Sequence, residues 1–296
     1  MAPRLTQALV SRHASGRPGA YGAALLDIAQ DHLLWLLADE GLFDDGRLIF
    51  KGGTSLRKCR LGTSGRFSTD LDFTAPDDDV VIAACEVING AVVGGFTFIL
   101  DDPSDDARHW RLRIDHSELG TPDVDAAVEF ARRPLACAPE RLRFIESPVH
   151  KAYDIALPEL PIIAIEEACA EKLARYRRTS LARDLYDLAK FAERTMDEAL
   201  VRRLWVLKVW GDVVEDQRGE PPVDPFDVLN VRAASKFKLE SIGILVDPAD
   251  IAIWESRVRS RFGFLSQLDA DERRWAACSP RDRYEVHDAL ARIVSR

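Results

Sequence analysis

The sequence predicts an α+β fold: a mixed sheet with flanking helices in the first half, followed by a mainly helical lobe. Two observations carry this. Short runs with strand patterning, "RLIF", "FSTDLDF", "FTFIL" and "HWRLRID", alternate with helical stretches between residues 20 and 115. Beyond "ALPELPII", whose Pro158 and Pro161 disfavour continued helix, the apolar spacing turns strongly helical. The expected division is into residues 1–158 and residues 159–296.

Each element has its own reason. The N-terminal stretch "MAPRLTQALVSRHASGRPGA" is basic and rich in small residues, which reads as a loose arm. Residues 20–40 place Leu26, Ala29, Leu33 and Leu36/Leu37 at amphipathic spacing, and the glycines Gly41 and Gly46 end that helix. "RLIF" reads as a short buried strand broken by Gly52-Gly53. Thr54 and Ser55 suit a helix N-cap, so "TSLRKCRL" is expected to be a short helix. "FSTDLDF" alternates Phe67, Leu71 and Phe73 with Ser68, Asp70 and Asp72, as a half-buried strand does. Asp77–Asp79 open a further helix, where negative charge is favourable. Residues 116–147 read as loop-rich. In the second half "IEEACAEKLARYRR", "SLARDLYDLAKFAER" and "TMDEALVRRLWVLKVW" are helical, the last opening with Thr195 and Glu198 at capping-box spacing. Trp205, Trp210 and Trp254 fall among apolar residues and read as core. The last hundred residues carry no recognisable site.

The composition narrows the class. With 47% hydrophobic and 30% charged residues, a chain of 296 residues can bury a sizeable core. No apolar run is long enough to span a membrane, and no signal-peptide core opens the chain. Cys59, Cys85, Cys137, Cys169 and Cys278 show no C-x-x-C spacing, which argues against a disulfide framework or a structural zinc and for a reducing, cytoplasmic setting. The net charge of −9 argues against a broad basic surface. Local basic stretches remain at Arg141–Arg143 and in "RYRRTSLAR", which could meet phosphates.

The chemistry concentrates between residues 50 and 73. Residues at i and i+2 of a strand share a face, so Asp70 and Asp72 project together. Their mutual repulsion is relieved by a divalent cation; Mg²⁺ takes carboxylate oxygens and readily also the oxygens of a triphosphate. Gly52 and Gly53, without side chains, let backbone N–H groups approach a phosphate. Either piece alone is commonly just a turn or a solvated pair, but the order glycine turn, helix, D-x-D strand is far more specific. "DLDFTAPDDD" lacks the glycine and glutamate of an EF-hand, and "KGGTS" fails the Walker A spacing.

"KGGTSLRK" followed by "RFSTDLDF" resembles the first two motifs of the AbiEii-type nucleotidyltransferases, members of the DNA polymerase β-like superfamily. Many of these, the mycobacterial MenT group included, are toxins of toxin–antitoxin pairs. Their third motif, a lysine-bearing helix followed by R-D-x-x-D, is similar to "EKLARYRRTSLARDLYDL", with Lys172, Arg183, Asp184 and Asp187 on the motif positions. The resemblance implies a polymerase β-like domain that moves NMP from an NTP, with Mg²⁺ or Mn²⁺, to an acceptor hydroxyl. The implied acceptor is the 3′ end of tRNA, and a cognate antitoxin is the implied partner. It assigns metal to Asp70 and Asp72, phosphate to Gly52, Gly53, Thr54 and Ser55, and the triphosphate to Lys172 with Asp187 orienting it. Asp184 is secondary. On the residues themselves, Lys172 lies near Cys169, Leu173 and Tyr176, so it is partly desolvated and needs an anionic partner: a triphosphate, Asp184 or Asp187. Ser68 shares the strand face with the aspartates and touches phosphate or merely caps the strand. Arg66 meets phosphate or solvent. Lys51 and Arg57 are expected to be solvated flanks of the phosphate loop. Superfamily members often add a third carboxylate from a later strand; Asp115 is the candidate for it or simply a surface aspartate. His109 and His116 show no partner spacing. Two rival readings stay open: NMP transfer to a protein hydroxyl, and a non-catalytic nucleotide-binding module of a toxin–antitoxin pair.

Overall fold

The computed structural model describes residues 5–15, 19–237, 239, 245 and 248–294. It divides into two compact units, one built mainly of Met1–Pro134 and Pro139–Ile163, the other mainly of Leu135–Ala138, Ala164–Ile242 and Pro248–Arg296.

The first unit holds one mixed eight-stranded sheet: β1 (Ile49–Lys51), β2 (Leu71–Thr74), β3 (Val92–Val93), β4 (Phe96–Asp101), β5 (His109–His116), β6 (Ala127–Ala131), β7 (Glu140–Arg143) and β8 (Glu159–Ile162), in the order β3-β4-β5-β6-β2-β1-β8-β7. β2 runs antiparallel to β1 and parallel to β6, and β1 runs parallel to β8. The alternation expected of "FSTDLDF" holds over β2, where Leu71 and Phe73 are fully buried and Asp72 is half-exposed. Phe73 stacks on Phe130 at 5.6 Å and meets Phe50 at 5.4 Å, so one sheet face is the aromatic core.

Helices cover that apolar face: α1 (Gln7–His13), α2 (Tyr21–Asp39), α3 (Gly52–Leu56) and α4 (Asp78–Ile88). The N-terminal arm is thus partly helical, anchored by the buried Val10. α2 is buried along most of its length, polar residues included. α3 starts at the glycines themselves, with Lys51 in the cap position, so Thr54 and Ser55 lie inside the first turn rather than at its cap. It runs directly into a π-helical turn, Arg57–Leu61.

Residues 116–147 contain β6 and β7, and β8 pairs with β1 across the expected boundary at 158/159, so it belongs to the sheet and not to the helical half. Pro161 is tolerated because it lies in a short strand whose neighbour Ile162 carries the pairing to Phe50.

The second unit consists of α5 (Ile165–Arg178), α6 (Ala182–Phe191), α7 (Glu198–Val214), α8 (Phe226–Leu229), α9 (Ile251–Arg261), α10 (Ala270–Ala276) and α11 (Arg283–Val294). Trp205, Trp210 and Trp254 are core residues, as expected. α7 is capped by Asp197, whose carboxylate accepts from the Leu200 N–H at 3.1 Å, in place of the expected Thr195. All five cysteines are free thiols. Among the described residues no helix is long and apolar enough to cross a membrane.

Candidate active site

β1 delivers the chain to Gly52, whose φ of +78° is left-handed. A Cβ built there would lie 1.8 Å from Asp72 Oδ2, so the bare backbone rests directly against the carboxylate. A Cβ at Gly53 would lie 2.6 Å from an Arg66 guanidinium nitrogen and 2.9 Å from Ser68 Oγ. The turn therefore presents peptide groups between one cation and two kinds of oxygen, the hydroxyl of Ser68 and the carboxylate of Asp72. Arg66 and Ser68 are both buried rather than solvated.

β2 starts only at Leu71, and the extended segment Ser68–Asp70 leading into it is pinned from two sides. The α2 side chain Gln30 donates to the carbonyls of Ser68 at 3.2 Å and Thr69 at 2.9 Å. Thr54 Oγ1 donates to the Asp70 carbonyl at 2.5 Å, and Thr69 Oγ1 to Asp70 Oδ1 at 3.0 Å. Ser55 Oγ donates to the Gly52 carbonyl at 3.0 Å. The hydroxyls of Thr54 and Ser55 thus shape the loop, leaving their backbone, not their side chains, for an anion.

Register extends the site sideways. Lys51 pairs with Asp72, Asp72 with Glu129, and Glu129 with His109, one row across β1, β2, β6 and β5. Asp72 is half-exposed and Glu129 exposed on the sheet's open face, neighbours at one strand spacing of ~4.8 Å. Asp115, the sequence's candidate third carboxylate, is on the same face but six residues along β5 from His109, ~20 Å away. There it accepts a hydrogen bond from Thr121 at 2.7 Å. Glu129, not Asp115, is thus the carboxylate in register beside Asp72. The outward alternation of "AVEFA" would have shown it, had that stretch not read as loop.

Among the described residues no three acidic, histidine or cysteine side chains form a ready-made metal cage. The donor set nonetheless fits Mg²⁺, which is held through one or two carboxylates while phosphate and water complete its shell. Asp70 and Asp72 are hard oxygen donors, half-exposed beside the glycine turn.

Arg57 is not a solvated flank. The π-helical turn presents both Arg57 and Lys58 to α2, where they are buried. Arg57 Nε donates to Asp27 Oδ1 at 2.9 Å, while Lys58 Nζ reaches Asp27 Oδ1 at 3.1 Å and Asp31 Oδ1 at 2.6 Å. His13 meets Asp27 at 2.7 Å, Tyr153 donates to Asp31 at 2.6 Å, and the Arg57 guanidinium lies 3.9 Å over Phe67. Burial works to raise the Asp27 and Asp31 carboxyls, but the neighbouring cations, Arg57 and Lys58 for Asp27 and Lys58 for Asp31, outweigh it and hold both below the usual range. Burial and Asp31 push the Tyr153 phenol up. The network bolts the helix behind the glycine turn to the core.

In the helical unit, α5 and α6 bring Lys172 to its two aspartates. Its Nζ is 2.7 Å from Asp187 and 3.5 Å from Asp184, and all three are buried. Asp184 is also bound by Arg175 Nε at 2.8 Å, which leaves Asp187 the closer partner of Lys172. Arg183 sits at the α6 start beside them. The expected basic edge "RYRRTSLAR" is largely internally neutralised. Arg175 binds Asp184, Arg177 binds Asp227 at 2.9 Å, and Arg178 binds Asp212 at 3.3 Å. Arg141 and Arg143 likewise face Glu159.

The family model described as "Nucleotidyl transferase AbiEii toxin, Type IV TA system" matches residues 35–284. Among solved structures, MenT4, a nucleotidyltransferase toxin from Mycobacterium tuberculosis, shares 63% identity over 98% of this chain and 99% of its own, with a TM-score of 0.95. JHP933 from Helicobacter pylori aligns far more loosely, at 18% identity over 81% of this chain and 94% of its own, with a TM-score of 0.42. No curated protein matches the chain.

Proposed function

The chain belongs to the AbiEii nucleotidyltransferase toxin family, and on that premise we propose that it moves NMP from an NTP to an acceptor hydroxyl and releases pyrophosphate. In this reading the acceptor is the 3′ end of tRNA, the outcome is blocked translation and growth arrest in the cytoplasm, and a cognate antitoxin counters it.

The observation that carries the reading is the junction of glycine turn and acidic strand: Gly52 against the Asp72 carboxylate, Gly53 against Arg66 and Ser68. A phosphate held by the peptide N–H groups of the turn and by Arg66 lies beside the carboxylates. Asp70 and Asp72 would hold Mg²⁺ or Mn²⁺, which when bound neutralises charge on the triphosphate and the departing pyrophosphate. Glu129, exposed and in register with Asp72, takes the proton of the acceptor hydroxyl as that oxygen closes on the α-phosphorus. The bond to the bridging oxygen breaks, and pyrophosphate leaves with the electron pair. Lys172, oriented by Asp187, is assigned to the triphosphate.

The test is incubation of wild type, Asp72→Ala and Lys172→Ala with each labelled NTP and either total tRNA or total protein, with circular dichroism as the check on folding. Wild type should label tRNA, and both folded variants should lose transfer. Undiminished transfer by Asp72→Ala would refute the mechanism, and label in protein instead of tRNA would refute the acceptor.

A further inference from the structure

The open sheet face continues past the carboxylates. Outward positions on β6 are Ala127, Glu129 and Ala131; on β5 they are His109, Arg111, Arg113 and Asp115. Ala127 pairs with Arg111 one row before the pairing of Glu129 with His109. Ala127 and Ala131, on either side of Glu129, leave the β6 row low between β2 and β5, a shallow trough that only Glu129 crosses. It is about two strand spacings wide, ~10 Å, between the acid pair and Arg111. A depression of about 330 Å³ opens at the β5 edge beside Arg111 and Arg113, reaching down to Leu26, Leu112 and Ile114 of the apolar side.

Arg111 and Arg113 share a face ~7 Å apart along the strand, comparable with neighbouring phosphates on an extended single strand. Their side chains are 60% and 59% exposed. Each meets a surface carboxylate, Asp125 at 3.3 Å and Asp101 at 3.2 Å. Exposed pairs of this kind contribute only ~0–1 kcal/mol, so phosphate can replace the carboxylate at little cost. The arginines of "RYRRTSLAR" are by contrast engaged in the helical unit. In a chain of net charge −9 a nucleic acid must be gripped locally.

We infer that the β5–β6 trough seats the sugar-phosphate backbone of a nucleic-acid acceptor, with Arg111 and Arg113 on phosphates behind its terminal hydroxyl. The inference rests on the transfer reaction proposed above and adds the surface that selects the acceptor. Arg111 and Arg113 are positioning residues for the acceptor, not for the nucleotide.

The experiment compares wild type, the double variant Arg111→Gln/Arg113→Gln and the double variant Arg111→Lys/Arg113→Lys. Full-length protein, labelled NTP and total tRNA are used over a range of salt. Loss of each arginine should raise KM for tRNA roughly tenfold, as for a lost charged hydrogen bond. It should also lower the slope of log KM against log salt by about one. KM for NTP and the melting temperature should stay at wild-type values, and the lysine pair should restore the salt slope. A glutamine pair with wild-type KM and salt slope overturns the inference, as does a rise in KM for NTP of the same size. Wild type that labels protein and never tRNA removes the premise and the inference together, a result distinct from either of those.

Discussion

Replacing Gly52 by alanine perturbs the tightest approach in the site. The new methyl would lie 1.8 Å from Asp72 Oδ2 and 2.6 Å from its Cγ, so the carboxylate must retreat by roughly 1.5 Å to reach ordinary contact. The backbone adds a second cost, because a left-handed non-glycine residue loses roughly 1–2 kcal/mol. Gly46 separates the two effects. Its φ is +73°, yet nothing lies within 4 Å of a methyl placed there. Gly46→Ala should therefore show the strain alone, a melting point lower by roughly 2–8 °C, with transfer activity preserved. Gly52→Ala should show a similar or somewhat larger drop in melting point together with a loss of transfer on the order of a hundredfold, as expected when a reacting group is misplaced by about an ångström. Scanning calorimetry and labelled-NTP transfer on both variants decide it. Gly52→Ala with activity within threefold of wild type would refute the account, as would equal activity losses in the two variants.

Three further expectations follow from the same geometry. Lys58→Met strips the cation from two buried aspartates and should cost about 3–5 kcal/mol by urea unfolding; a loss under 1 kcal/mol would show the network to be ornamental. Asp27 and Asp31 titrate below their ordinary value of 3.8 when folded, so their contribution is complete above that pH and is lost as pH falls through the lowered folded values. The urea midpoint of wild type should accordingly fall as pH drops from 4 toward 3, and less so in Asp31→Asn; parallel curves would contradict this. Glu129→Gln should lower transfer by roughly 10²–10⁴, while Asp115→Asn should leave it within twofold of wild type. The reverse ranking would return the third carboxylate to β5.

The local geometry around each candidate residue was largely legible because it is set by near neighbours in sequence. The glycine pair, the D-x-D strand and the Lys172–Asp187 helices are each encoded within a few residues by spacing and face. The sheet was less legible. β6 is alanine-rich, β7 is an edge strand of charged residues with little alternation, and β8 contains a proline, so none carries the β-branched run that marks a strand. The placing of Glu129 beside Asp72 was hidden for a different reason. β6 pairs with β2 while β3, β4 and β5 intervene in sequence, and strand order is a long-range outcome that local pattern does not specify. The burial of Arg57 was hidden because α2 carries Asp27 and Asp31 among its apolar residues, and a carboxylate on a helix ordinarily faces water.

The parallel seam between β2 and β6 also bears on when the toxin can act. The acidic strand gains its neighbour only after the whole β3–β5 meander has been made and has folded back, a pairing of long sequence separation and therefore slow to close. A nascent or truncated chain ending before β6 holds the phosphate turn and both aspartates yet leaves their strand open on one edge. On the reading proposed above, transfer therefore waits on a slow, long-range pairing, and a fragment ending before β6 should transfer no NMP.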